Sequence, residues 1–139
     1  MFKLKELENF KRYFMKKIIN TTNAPAPIGP YSQAVLVDNT LYVSGQIPIN
    51  PKTNELVMTD IKAETKMVME NLKAILNEAE MDFSHVVKCS IFISNMNDFA
   101  QINEVYGSYF SSNFPARETV QVACLPKNVN VEISAIAVK

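Results

Sequence analysis

The chain has 139 residues, with 14 Lys or Arg and 14 Asp or Glu. This length predicts one domain, which buries roughly two-thirds of its unfolded surface and so has an independent core. The balanced charge argues against a general binding surface for polyanions. Cys89 and Cys124 are far apart without a CxxC pattern, and the sequence shows no secretory signal or apolar run of membrane length. We therefore expect reduced core thiols in an intracellular, cytoplasmic protein.

Residues 1–14 form an N-terminal extension that precedes a domain spanning 15–139. Its apolar residues have a spacing that suits one face of a helix and are accompanied by basic residues: Leu4, Leu7, Phe10 and Phe14, with Lys3, Lys5, Lys11 and Arg12. Mitochondrial or other organellar targeting is one interpretation. Glu6 and Glu8 count against it, because transit peptides are poor in acidic residues, and they favour a docked or frayed helix.

Strand and helix signals alternate along the rest of the chain. Three short strands come first, the last two joined by a tight turn at Asp38-Asn39: Met15 to Asn20, Val35 to Val37 and Thr40 to Gln46. Residues 47–58 form the only long irregular connection. A helix from about Thr59 to Glu80 follows, capped by Thr59 or Asp60. Its predicted apolar face is Ile61, Thr65, Val68, Leu72, Ile75 and Ala79.

The second half of the domain continues the alternation. Val86 to Ile93 is predicted as a strand with Val87, Cys89, Ile91 and Ile93 on one side and Lys88 and Ser90 on the other. A helix from about Asp98 to Ser111 should pack Phe99, Ile102, Tyr106 and Tyr109. Two further strands are predicted at about Thr119 to Cys124 and Asn130 to Val138.

The last strand indicates what covers the sheet. One of its faces is wholly apolar, while the other begins with Glu132 and Ser134 and ends with Ile136 and Val138. Two helices cannot cover both faces of a sheet this wide, so the second face is either solvated or covered by another subunit. Its partly apolar character favours burial against a partner.

A candidate anchor for a small anion lies in Phe114-Pro115-Ala116-Arg117. The guanidinium of Arg117 is a planar, permanently charged set of donors that binds a carboxylate or phosphate bidentately. Pro115 fixes the backbone two residues before it. A surface salt bridge is the alternative role for Arg117.

Three other motifs accompany this one in a fixed order. They are Ile28-Gly29-Pro30-Tyr31-Ser32-Gln33-Ala34, then Ser44-Gly45-Gln46-Ile47-Pro48 with Asn50-Pro51-Lys52-Thr53, and finally Leu125-Pro126-Lys127 ahead of Val131-Glu132-Ile133. From about Met15 to the C-terminus, the sequence resembles the reactive intermediate deaminase family, which is also called the Rid or YjgF family and is sometimes labelled L-PSP endoribonuclease. Within that family the sequence is RidA-like. Several motifs at matching separations make this resemblance specific.

The resemblance implies an α+β, chorismate-mutase-like fold: a mixed sheet of about six strands with two helices on one face. It implies a homotrimer with sites in the clefts between subunits. The implied activity is cofactor-free hydrolysis of 2-imino acids and their enamine tautomers, such as 2-iminobutanoate and 2-iminopropanoate, to 2-oxo acids and ammonia. Pyridoxal-phosphate-dependent dehydratases release such unstable products.

The resemblance also implies the site residues. Arg117 matches the arginine that binds the substrate carboxylate, and Glu132 matches the carboxylate that deprotonates water. Partial burial between Val131 and Ile133 would bring the pKa of Glu132 closer to neutrality. The remaining predicted binding residues are Tyr31, Ser44, Gly45 and Asn103. Without the resemblance, packing for Tyr31 and solvent exposure for Asn103 and Glu132 are the alternatives.

Two positions depart from the family pattern. Thr119 stands where many members have cysteine, and Ser134 stands where a second acid often follows Glu132. Glu132 is then the only carboxylate on the last strand.

The sole histidine, His85, and two separated cysteines argue against a zinc site. The sequence contains no nucleotide-binding glycine motif, which argues against a nucleotide cofactor, and the resemblance implies that no cofactor is needed. It also contains no serine-hydrolase motif.

Two other functions stay open. The L-PSP label suggests an endoribonuclease, but single-stranded RNA favours a cationic groove with aromatic platforms, and the balanced charge argues against nucleic acid as a partner. A non-catalytic, metabolite-binding or chaperone-like trimer is the third hypothesis. This hypothesis would be favoured if a variant that lacks Arg117 still bound its ligand at another place on the protein.

Overall fold

The computed structural model describes residues 4–7 and 16–139. Their strands form one sheet in the order β1-β2-β3-β6-β4-β5. Neighbouring strands are antiparallel except β4 and β5, which are parallel. The strands are β1 (Lys17–Ile19), β2 (Ala34–Val37), β3 (Thr40–Gln46), β4 (Val86–Ile93), β5 (Ala116–Gln121) and β6 (Val131–Val138).

Two helices, α1 (Ile61–Glu78) and α2 (Phe99–Gly107), pack against one face of this sheet. Asp60 caps α1 by accepting a hydrogen bond from the backbone N–H of Ala63 at 2.8 Å. The core contains most of the apolar residues predicted for α1 and its C-terminal cap, β4 and β6, and Ile61 packs against it partly buried. These core residues are Val68, Leu72, Ile75, Ala79, Cys89, Ile91, Ile93, Val131, Ile133, Ala135 and Ala137. Thr65 is also fully buried, with its hydroxyl donated to the carbonyl of Ile61.

This arrangement confirms the predicted α+β architecture, with a six-stranded mixed sheet and two helices on one face. The bounds of β3 and β4 agree with the sequence prediction, and Asp60 rather than Thr59 is the helix cap. The segment 47–58 is irregular apart from one isolated bridge between Ile49 and Leu56.

The strand β5 begins three residues earlier than predicted, so Arg117 lies inside it. Five of its six residues are exposed, which leaves no buried alternation in the sequence to mark its start. Parallel pairing with β4, beginning at Lys88 and Ala116, sets the strand instead.

The helix α2 is also shorter than predicted. It ends at Gly107, a poor helix former, before Tyr109. The Tyr109 hydroxyl donates to Glu70 Oε1 at 2.7 Å from outside the helix. Phe99 was predicted in the core, but it is exposed at the first turn of α2.

Two smaller predictions are wrong. Val87 does not share the buried side of Cys89, because the pairing of β4 with β6 shifts by one residue between Val86 and Lys88 and leaves Val87 exposed. Cys89 is a buried thiol as expected, whereas Cys124 is exposed in the loop after β5.

The face of the sheet opposite the helices carries an apolar row. The strand registers align Ile18, Val35, Tyr42 and Ile136 across β1, β2, β3 and β6. Ile18 is 48% exposed and Tyr42 is 51% exposed. No helix of the described part of the chain packs on this face, so the row is an uncovered surface of the protomer.

Residues 4–7 are helical, with Leu4 and Leu7 exposed. The predicted face of the extension continues through Phe10 and Phe14, which lie outside the described residues. The division into an extension and a domain starting at residue 15 stays a prediction. Within the described ranges, no helix is both long enough and apolar enough to span a membrane.

Candidate functional site

A β-bulge in β3 brings Gly45 against the side chain of Glu132. Val43 pairs with Ala135 and Gln46 pairs with Ile133, so three steps along β3 match two steps along β6. A Cβ atom added to Gly45 would lie 2.1 Å from Glu132 Oε1 and 2.9 Å from its Cδ. The absence of a side chain at Gly45 is therefore what lets the carboxylate lie against the backbone of β3.

Glu132 and Gly45 line a cleft of about 290 Å³. Apolar groups from three loops surround them, and the full lining is Ile28, Tyr31, Ser44, Gly45, Ile47, Pro126 and Glu132. The Tyr31 hydroxyl accepts a hydrogen bond from the backbone N–H of Ile28 at 3.2 Å, which ties the ring to its own loop. The cleft thus combines one carboxylate with mainly apolar walls.

The Glu132 carboxylate makes no hydrogen bond or ion pair with any residue that the structure describes. It is half-buried on β6, and this burial raises the pKa of Glu132 above its usual range because the charged form loses hydration. A carboxylate of this kind can accept a proton from a water molecule and return it later in a reaction.

Buried amide side chains hold two of the three loops that line the cleft. Gln33 donates to the carbonyls of Thr21, Ala24 and Pro25 and accepts from the N–H of Thr21 at 2.7 Å. These bonds fix the segment that leads to Ile28 and Tyr31.

On the other side of the cleft, Asn71 of α1 donates to the carbonyls of Ile47 at 3.2 Å and Ile49 at 2.9 Å. Asn71 is fully buried, and Gln33 is only 2% exposed. Neither amide was predicted to serve the site, although Gln33 lies in one of the quoted motifs.

The Ser44 hydroxyl has a structural partner. It donates to the carbonyl of Ser32 at 2.6 Å, while the backbone N–H of Ser44 donates to the carbonyl of Gln33 at 2.9 Å. A hydroxyl has one proton to donate, so in this conformation Ser44 offers a ligand only its oxygen lone pairs. The predicted donation from this hydroxyl to a substrate carboxylate would require rotation away from Ser32.

Arg117 lies in a second cleft, of about 360 Å³, formed with α2 and the segment before β5. Its Nη1 donates to Asn103 Oδ1 at 2.6 Å. The guanidinium carbon lies 5.6 Å from the ring centroid of Phe99 and 5.1 Å from that of Tyr106. Phe114 and Pro115 complete the wall. Arg117 makes no salt bridge with an acidic residue of the described chain.

The predicted site residues therefore form two groups on opposite faces of the sheet. Arg117 pairs with Cys89, and Cys89 with Ala135, which places Arg117 on the helix-covered side. Glu132 pairs with Phe92, which belongs to the other side. One group contains Tyr31, Ser44, Gly45 and Glu132, and the other contains Asn103 and Arg117. The structure of one protomer does not bring the two groups into one cleft.

A larger cleft than these two, about 500 Å³, lies between the start of α1 and the end of α2. None of the predicted site residues lines it. Its Lys62 is already paired with Glu104 at 2.7 Å. The described residues also contain no group of three or more side chains placed to bind a metal. The two smaller clefts are therefore the better candidates for the site.

Similar proteins of known sequence identify the family of this chain. The family described as Endoribonuclease L-PSP matches residues 21–139. The chain belongs to this family. A RutC family protein of Pyrococcus horikoshii is 54% identical over 125 residues, which cover 90% of this chain and 99% of that protein. The human 2-iminobutanoate/2-iminopropanoate deaminase is 47% identical over 125 residues, covering 90% of this chain and 91% of the human protein.

Solved structures agree with the family assignment. The YjgF gene product of E. coli is 46% identical, with a TM-score of 0.85 over 88% of this chain and 98% of that one. E. coli TdcF, solved with bound serine, is 44% identical, with the same TM-score and coverage. The Rid/YjgF resemblance predicted from the motifs is thus confirmed.

Proposed function

We propose that this member of the L-PSP family is a cofactor-free hydrolase of 2-imino acids and their enamine tautomers, with 2-iminobutanoate and 2-iminopropanoate as substrates. The observation that carries the proposal is the half-buried Glu132, which lies against Gly45 in a cleft with mainly apolar walls. Relatives near 50% identity that are named 2-iminobutanoate/2-iminopropanoate deaminase support it. The TdcF complex supports a related ligand class, because serine is an amino acid with one carboxylate.

Each proposed role follows from one chemical requirement. The substrate carboxylate needs a cation, and the Arg117 guanidinium is held by Asn103 and is not neutralised by a described acidic side chain. Water must be deprotonated as it attacks the imine carbon, and Glu132 can take that proton. Glu132 passes this proton to nitrogen, which gives a neutral intermediate with one hydroxyl and one amino group on the same carbon. Glu132 then takes the hydroxyl proton and delivers it to nitrogen, the carbon–oxygen double bond forms as the carbon–nitrogen bond breaks, and ammonia leaves with a 2-oxo acid remaining.

Assembly of the site follows from its division into two groups. We propose a homotrimer in which Arg117 and Asn103 of one protomer face the Glu132 cleft of its neighbour. The opposite orientations of Arg117 and Glu132 support this arrangement. So does the exposed apolar row through Tyr42 and Ile136, which a neighbouring copy would cover. Dehydratases that use pyridoxal phosphate would supply the substrate.

The decisive experiment is a coupled assay with a threonine dehydratase. The protein should accelerate formation of 2-oxobutanoate and reduce trapping of the imine by semicarbazide. An unchanged rate over a range of protein concentrations would contradict the deaminase proposal. Because the family carries an endoribonuclease name, the same preparation should be incubated with RNA. Cleavage by nuclease-free protein would support that second function.

Two variants assign the roles. Arg117→Ala should weaken binding of 2-oxobutanoate, the stable product of the proposed reaction, because the bidentate carboxylate contact is lost. Glu132→Gln keeps the side-chain shape and should largely retain that binding, while turnover falls by about 10²-fold or more. Normal turnover in Glu132→Gln, or normal binding in Arg117→Ala, would show that the assigned role is wrong at that residue.

A further inference from the structure

The aromatic ring of Phe99 has no role in the core. It is 36% exposed, although its place at the start of α2 predicted a packed residue. Instead, the ring centroid lies 5.6 Å from the guanidinium carbon of Arg117. Cations within about 6 Å of an aromatic centroid are attracted by the negative face of the ring.

The same face of α2 supplies two other contacts to Arg117. Asn103 follows Phe99 by four residues and accepts the Nη1 hydrogen bond at 2.6 Å. Tyr106 follows by seven residues, and its ring centroid lies 5.1 Å from the guanidinium carbon. Positions seven apart are separated by about 10.5 Å along a helix axis, so a guanidinium this close to both rings lies between them. One face of α2 therefore holds the guanidinium of Arg117 between two aromatic rings and accepts a hydrogen bond from its Nη1.

We propose that Phe99, with Tyr106, is a positioning residue that preorganises Arg117 for carboxylate binding. The inference rests on the proposed function of Arg117 as the carboxylate anchor. An arginine side chain has many rotamers, and fixing them on binding costs entropy. Rings that hold the guanidinium in place before the ligand arrives reduce that cost. Phe99 acts through Arg117 and does not itself need to touch the substrate.

The test is a double-mutant cycle in which NMR titration measures the binding of 2-oxobutanoate. The four proteins are the parent, Phe99→Leu, Arg117→Ala and the double variant. Phe99→Leu should weaken binding by about two- to five-fold, the range expected for an exposed cation–π contact. In the Arg117→Ala background, the same change should have no effect, because the ring then has no cation to hold.

Kinetics provide a second readout that a merely structural role would not move. In the imine hydrolysis assay, Phe99→Leu should raise KM by a similar factor and leave kcat within about two-fold, because Glu132 is untouched. Phe99→Tyr, which retains a ring, should restore the parent KM. If Phe99→Leu does not fold, Phe99→Met serves the same comparison.

The outcomes separate this inference from the proposed function. If Arg117→Ala weakens binding and Phe99→Leu does not, the positioning role is wrong while the anchor stands. An equal effect of Phe99→Leu with and without Arg117 would also overturn it, since the ring would then act independently. If Arg117→Ala binds 2-oxobutanoate like the parent, the anchor itself fails.

Discussion

Replacing Gly45 by alanine should remove activity without unfolding the protein. The new methyl group would lie 2.1 Å from Glu132 Oε1, more than about 1 Å inside van der Waals contact. The carboxylate must therefore swing away, at a cost of about 0.5–1.5 kcal/mol for a strained rotamer. The φ angle of Gly45 is not in the left-handed region, so alanine fits the backbone and restricts the unfolded chain by about 0.4–1 kcal/mol. The two effects nearly cancel.

The expected result is a free energy of unfolding within about 1 kcal/mol of the parent and turnover reduced by about 10²-fold, as for loss of a general base. Urea unfolding and the imine hydrolysis assay measure the two quantities. Gly107→Ala calibrates the stability effect of the same chemical change, because a methyl group there meets no atom within 4 Å. Parent-level turnover in Gly45→Ala would refute the placement of the Glu132 carboxylate in the reaction.

Three further predictions follow from burial and pairing. Burial raises the pKa of Glu132, so its contribution to stability is present below its ordinary pKa and is lost as the pH rises through the folded value. Glu132→Gln should therefore gain stability relative to the parent between about pH 4 and 8 in urea unfolding, and a constant difference would contradict this. Asn71→Ala leaves the buried carbonyls of Ile47 and Ile49 without their donor and should cost about 2–4 kcal/mol of unfolding free energy; a loss below about 1 kcal/mol would contradict it. Tyr42→Glu puts a charge in the exposed apolar row and should convert a trimer to monomers in sedimentation velocity, whereas an intact trimer would show that this row is not the interface.

Sequence patterns predicted the elements that are half-buried and regular. The bounds of β3 and β4 could be read from the sequence because Thr40–Gln46 and Val86–Ile93 are β-rich and bounded by turn signals. The strand β5 has no such pattern, because five of its six residues are exposed and its position depends on pairing with β4. Tertiary pairing of this kind cannot be read from local propensity.

Motifs predicted which residues carry the candidate site, but not how they are grouped. Gly45 within the β3 run is compatible with a bulge or a close approach of the backbone, but nothing local in the sequence shows that the bulge at Ser44-Gly45 brings Gly45 to Glu132. Phe99 shows the opposite limit. Its apolar spacing on α2 correctly indicates the face that meets the sheet, yet the ring lies at the edge of that face, against Arg117 rather than in the core.

The separation of Arg117 and Glu132 makes activity depend on assembly if both act on one substrate. A protomer alone would still present a cation held by Asn103 and a carboxylate with a raised pKa. It could not apply both to one small molecule, because they line different clefts on opposite faces of the sheet. A dissociated protomer would then bind carboxylates weakly and hydrolyse imines poorly while remaining folded. Holding the anchor and the base on separate copies would thus restrict hydrolysis to the assembled form.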